Sequence, residues 1–149
     1  MTAPFFDKIG RIPFKGPESD DPLAFRNYEP DRMVLGKRME DHLRVAVCWW
    51  HTFCWPGVDM FGAGTFDRPW QAADTMENAE LKLHAAFEFF EKLGVPFFCF
   101  HDADVAPLGE TISEGDANLA RIEALMRDGI DRTGVRLLWG TANLFSHRR

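Results

Sequence analysis

Positive charge is in short supply, with 17 Lys and Arg against 23 Asp and Glu, a formal net charge of -6 and a pI near 5.3. Such a chain has no broad basic face to neutralise nucleic-acid phosphates or anionic lipid, so nucleic acid and membrane are excluded as partners. Cysteine is equally sparse. Cys48, Cys54 and Cys99 form no CxxC pair, which removes a disulfide framework and a zinc finger and makes a reducing cytoplasm the expected location. No apolar run approaches the roughly 18 residues of a membrane span, and residues 1–25 contain no continuous apolar stretch of the signal-peptide kind. Tyrosine occurs once, whereas Phe occurs 14 times and Trp 5 times; rings in that number form a dense core or the wall of a pocket. With 149 residues, 46% hydrophobic and 27% charged, the composition is that of a globular domain rather than a disordered tail or a coiled coil.

Residues 1–30 hold Pro4, Pro13, Pro17, Pro22 and Pro30 with Gly10 and Gly16, too many breakers for a regular helix or a central strand. Phe5, Phe6, Ile9, Ile12 and Phe14 make this an arm able to dock on a surface. A short helix is expected from Pro30, burying Met33, Val34, Met39 and Leu43. Residues 44–50, RVAVCWW, read as a strand buried on both faces. A long glycine-bearing loop follows, and loops of that length are usually functional. Asp74 with Glu77 forms a capping box for a helix with Met76, Ala79, Leu83, Ala86, Phe87 and Phe90 on one side and Gly94 behind it. Val95 to Phe100 is a second strand, ending in the polar run HDAD. A second helix spans Glu114 to Asp131 with Leu119, Ile122, Leu125, Met126 and Ile130 inward, and Val135 to Trp139 is a third strand. Strands alternating with helices require parallel pairing and right-handed crossovers, hence an α/β fold. A sheet of so few strands has unpaired edges, so the chain reads as a piece of a larger layer.

Active sites of α/β folds lie at the C-terminal ends of the strands, which directs attention to Trp49–Trp55, His101–Asp104 and Trp139–Phe145. His101 and Asp104 can form an acid–base pair in which the carboxylate fixes the imidazole tautomer. They can equally be a helix cap and a backbone-bonded ring, and spacing does not choose between these. Trp50, His51, Trp139, Thr141, Asn143 and Phe145 carry the same two readings, pocket lining or plain packing. For a metal only His101, Asp102 and Asp104 are candidates, and no HExxH, EF-hand or Cys/His spacing accompanies them, so no complete metal site is expected within this chain. Gly62-Ala63-Gly64 completes neither phosphate-binding glycine pattern, which removes nucleotide binding.

The strings LGKRMEDHLRVAVCWWHTFCWPGVDMFGAGTFDRPW, AFEFFEKLGVPFFCFHDADVAP and LLWGTANLFSHRR closely resemble the N-terminal third of the long-type (class II) xylose isomerases. The resemblance implies a partial TIM (β/α)8 barrel: an N-terminal arm and short helix over 1–43, then the first three β-strands with their helices over 44–149. It further implies an aldose–ketose isomerase, converting D-xylose to D-xylulose and D-glucose to D-fructose by a hydride shift assisted by two divalent cations, Mg²⁺, Mn²⁺ or Co²⁺. By position, His101 resembles the ring-opening residue and Asp104 its carboxylate partner. Trp50, Trp139, Thr141 and Phe145 match positions lining the sugar pocket, and Phe61 matches a phenylalanine inserted into the site of a neighbouring subunit of a homotetramer. The family's metal ligands come from later strands, so these residues alone are expected to be inactive. The chain departs from the pattern at Leu108, where a Glu is usual, and at Arg148, where a Pro is usual. Two other readings stand beside this one. The first is a non-catalytic assembly or sugar-binding module; the second is a different metal-dependent sugar isomerase or epimerase on the same barrel.

Overall fold

The computed structural model describes residues 3–145. The arm is ordered against the rest of the chain. Phe5 and Phe6 donate their backbone N–H groups to the two oxygens of Glu88, at 2.7 and 2.9 Å, while their rings meet Trp70 and Phe89 edge-on at 5.5 and 5.9 Å. Further along, Ile12 N–H reaches the Lys92 carbonyl at 2.7 Å, so the arm is tied to the C-terminal end of the helix that carries both acceptors.

The segment after Pro30 departs from the helix expected there. It forms a hairpin of β1 (Met33–Val34) and β2 (Lys37–Arg38), followed by a single helical turn, α1 (Met39–His42). The reason is local: Leu35 and Gly36 both have positive φ, 47° and 80°, the signature of a type I′ hairpin turn, and Gly36 would sit in a helix interior at a cost. Met33 and Leu43, expected inside, are 63% and 51% exposed.

Then β3 (Ala46–Cys48) opens the main sheet, shorter than expected because the chain turns at once into a π-helical segment, Trp50–Cys54. The long loop therefore contains structure of its own, this π-helix and a 3₁₀ turn at Pro69–Gln71. Helix α2 (Met76–Leu93) begins at Thr75, whose hydroxyl accepts from Asn78 N–H; Thr75 is the cap, in place of the Asp74 expected. Both helix ends fall as periodicity required, with Gly94 left-handed behind α2 and Gly134 behind α4 (Ile112–Thr133), which is capped by Thr111. Between them lie β4 (Phe97–His101) and the one-turn α3 (Asp102–Val105), and β5 (Arg136–Thr141) closes the described structure.

The sheet has three parallel strands in the order β3-β4-β5, with helices crossing over. This is the α/β arrangement expected; among the described residues no barrel is closed. The core is aromatic. Trp49, Phe53, Phe87, Phe90 and Phe98 are each buried to within 2% of full burial, and Phe90 stacks on Phe98 at 5.3 Å. Ile122 and Met126 of α4 join this core, whereas Leu119, also expected inward, is 36% exposed. Ser146 to Arg149, with the departure at Arg148, lies outside the described residues.

Candidate active site

Register decides which side chains meet at the strand ends. Val47 pairs with Phe98 and both face the core, so Cys48, Cys99 and His101 face the other way. Between Phe98 and Cys99 the β4-β5 register shifts: Phe98 is opposite Leu137 but Cys99 is opposite Trp139. Leu138 is thus an extra residue on β5, and one extra residue exchanges the faces of everything beyond it. The bulge therefore sets Trp139 and Thr141 on the face of His101, with Thr141 directly across from it.

The π-helix supplies the third component. Alternation from Val47 carries Trp49 into the core, fully buried, and the π-helix opens at Trp50, at the strand end. The Trp50 ring lies 4.8 Å from the His101 ring and 5.5 Å from Trp139, and Trp139 stands at 5.7 Å from His101 with its plane nearly perpendicular. Two indoles thus flank one imidazole.

Asp104 holds that imidazole. One oxygen, Oδ2, accepts from the His101 backbone N–H at 2.8 Å and lies 2.9 Å from His101 Nδ1. The helix-cap bond and the contact with the imidazole are thus made by a single atom. A carboxylate is only an acceptor, so Nδ1 must be the donor, and in the neutral ring Nε2 then carries the free lone pair. The histidine side chain remains 29% exposed and that of Asp104 only 12%, so the imidazole can be reached and the carboxylate is sheltered.

Around this pair sit further polar groups, and the contacts of Cys54 and Lys82 among them were not expected from the sequence. Cys54, at the end of the π-helix, donates its thiol to the Asp104 carbonyl at 3.3 Å, and Lys82 Nζ stands 3.7 Å from the sulfur. Burial pushes the Cys54 thiol above its ordinary range, against the opposing pull of Lys82. Asp102 Oδ1 accepts from Ala103 N–H and from Asn143 N–H. A cysteine among apolar neighbours carries no sequence signal of such a contact.

Other expected site residues lie apart. His51 is exposed beside Trp50, at 5.6 Å. Phe61 and Phe145 are 89% and 96% exposed, turned to solvent rather than packed against His101. Among the described residues no three His, Cys, Asp or Glu side chains converge as a metal site, so the donor set here does not fit the two cations the resemblance implies.

The fold and this site define a class: an α/β chain that presents a carboxylate-oriented histidine between aromatic rings at the ends of parallel strands. Comparison with known proteins is more specific. The chain is 62% identical over 149 residues to a xylose isomerase of Chelativorans sp. (strain BNC1), 60% identical over the same length to one of Sinorhizobium fredii, and 54% identical over 146 residues to one of Salmonella typhi. No family model matches. The chain accordingly resembles xylose isomerases from end to end, and it spans about a third of the length of the curated relatives it matches. No described helix is long and apolar enough to cross a membrane.

Proposed function

We propose that these residues form the ring-opening side of an aldose–ketose isomerase acting on D-xylose, and on D-glucose as a second aldose. The observation that carries this is the His101 Nδ1 to Asp104 Oδ2 contact of 2.9 Å, with Nε2 left open between Trp50 and Trp139. Opening a cyclic aldose moves one proton from the anomeric hydroxyl to the ring oxygen. The Nε2 lone pair takes the first proton, Asp104 stabilises the imidazolium, and the imidazolium delivers the proton to the ring oxygen as the C–O bond breaks. Trp50 and Trp139 present flat apolar faces to the sugar's C–H groups and keep water from the open aldehyde; Thr141, across from His101, offers a hydroxyl to the sugar.

Two divalent cations, Mg²⁺, Mn²⁺ or Co²⁺, would supply the electrostatic assistance for the hydride shift that completes isomerisation, held by residues other than these. The 149 residues alone are therefore expected to be inactive. Phe61, almost fully exposed, suits insertion into a neighbouring subunit of a homotetramer, where it would close the open side of the pocket.

A chimera tests the reading, with residues 1–149 replacing the matching stretch of the Chelativorans relative, 34% of that protein. It is expected to convert xylose to xylulose with Mg²⁺, and His101→Asn to lower kcat by about 10²–10⁴-fold. A folded chimera without turnover, or one indifferent to His101→Asn, refutes it. A second reading, an assembly module, is favoured by one observation: among the described residues, β3 and β5 are both unpaired at their outer edges. Light scattering of the 149-residue chain showing a defined oligomer, together with an inactive chimera, would favour that reading.

A further inference from the structure

We propose that Asp102 is a positioning residue that clamps the loop after β5 to the His101–Asp104 turn and so holds Trp139 and Thr141 in the pocket; its functional consequence rests on the isomerase reading. Backbone pairing of β4 with β5 reaches His101 opposite Thr141, the last pair of the ladder. Immediately beyond, Asp102 Oδ1 accepts the Asn143 N–H at 2.8 Å across 41 residues, and the Ala103 N–H at 2.7 Å. A side chain thus continues the strand pairing where the backbone ladder stops.

Among the described residues the loop has little else to anchor it: Leu144 and Phe145 are 72% and 96% exposed, so their side chains do not fix it by apolar burial. A carboxylate accepting a backbone N–H makes a charge-assisted bond, stronger than the neutral ladder bonds before it. Strand ends fray from the last bond inward. Without the clamp, Thr141 is the first residue released and Trp139 the next on that face, and these two meet His101 from β5. Asp102 therefore acts on the pocket through the loop, while its neighbour Asp104 acts on the imidazole directly.

The test uses the 149-residue chain, with amide exchange at Asn143 and ¹⁹F spectra after 5-fluorotryptophan labelling, the Trp139 signal being identified by Trp139→Phe. Asp102→Ala is expected to speed Asn143 exchange by about tenfold and to move the Trp139 signal toward that of free fluorotryptophan. Asp102→Asn keeps a carbonyl acceptor and is expected to restore most of both. Asn143→Pro removes the donor and leaves Asp102 intact, so it should reproduce the Trp139 shift; it carries the test if Asp102→Ala does not fold. An Asn143 amide that is unprotected in the parent chain, or a Trp139 signal unmoved in both Asp102→Ala and Asn143→Pro, overturns the clamp. These readouts need no turnover. An inactive chimera with a protected Asn143 would thus refute the isomerase reading while the clamp stood.

Discussion

Replacing Gly129 by Ala sets two opposing effects against each other, and the structure determines which prevails. Gly129 is buried near the C-terminal end of α4, where α4 crosses α2. In a helix interior, alanine is favoured over glycine by about 1 kcal/mol, so propensity alone predicts stabilisation. A Cβ at this position, however, lies 2.7 Å from two atoms of the Phe87 ring and 2.8 Å from a third, well inside ordinary contact at 3.4 Å. The ring has nowhere to go. It is 1% exposed and held edge-on by Phe90 at 5.6 Å and Phe98 at 5.7 Å. Relief requires the helices to part by about 0.7 Å, and overpacking of this kind costs about 1–3 kcal/mol. Because three ring atoms overlap at once, the upper part of that range applies and the net loss is about 2 kcal/mol, or roughly 4–8 °C in Tm for a chain this size. Urea titration followed by circular dichroism measures it. The control is the same change in a Phe87→Leu background, where the clash is absent and Gly129→Ala should be neutral or stabilising. Stabilisation in the parent chain, or an equal effect in both backgrounds, refutes the reasoning.

Asp104→Asn in the chimera removes the acceptor that selects the histidine tautomer, and is expected to lower kcat by about a hundredfold or more with far less change in KM, read by steady-state kinetics. Glu88→Ala removes the carboxylate that receives both Phe5 and Phe6 N–H; the arm should become a site of rapid proteolysis while α2 keeps its helicity by circular dichroism. Burial raises the thiol pKa of Cys54, and also that of Cys99, above the ordinary 9.0. The unfolded thiols therefore lose protons first, so these groups stabilise the fold fully below about pH 9 and less as pH climbs through their folded values. The Cys54→Ala, Cys99→Ala double variant should show a flatter fall in urea midpoint between pH 9 and 10.5, and an unchanged slope would contradict this.

The long helices were legible because α2 and α4 repeat their apolar residues at helical spacing and stop at Gly94 and Gly134. Their starts were less so. Asp74 and Thr75 are both good caps, and only the backbone dihedrals of the folded chain make Thr75 the one that accepts. The hairpin at Met33–Arg38 was hidden because its turn uses Leu35 at positive φ, a residue type that does not advertise such a conformation. At the site, the rule that α/β chemistry gathers at strand ends was enough to bring Trp50, His101 and Trp139 together. What joined them was not legible. Asn143 engages Asp102 through its backbone N–H, which every residue but proline has, and the Leu138 bulge leaves no mark in a run of apolar residues.

The π-helix makes chain length at Trp50–Cys54 as constrained as composition. Trp55 N–H bonds the Trp50 carbonyl at 2.9 Å, a closure five residues long, so this stretch holds one residue more than an ordinary helical turn needs. Deleting any one of residues 51–54 would let the segment relax into an α-helical turn, and each side chain past the deletion would swing by about 100° around the axis. Phe53 or Cys54 would leave its seat, and with Cys54 would go its hold on the Asp104 carbonyl. A surface loop of similar appearance tolerates a residue more or less; this one counts its residues.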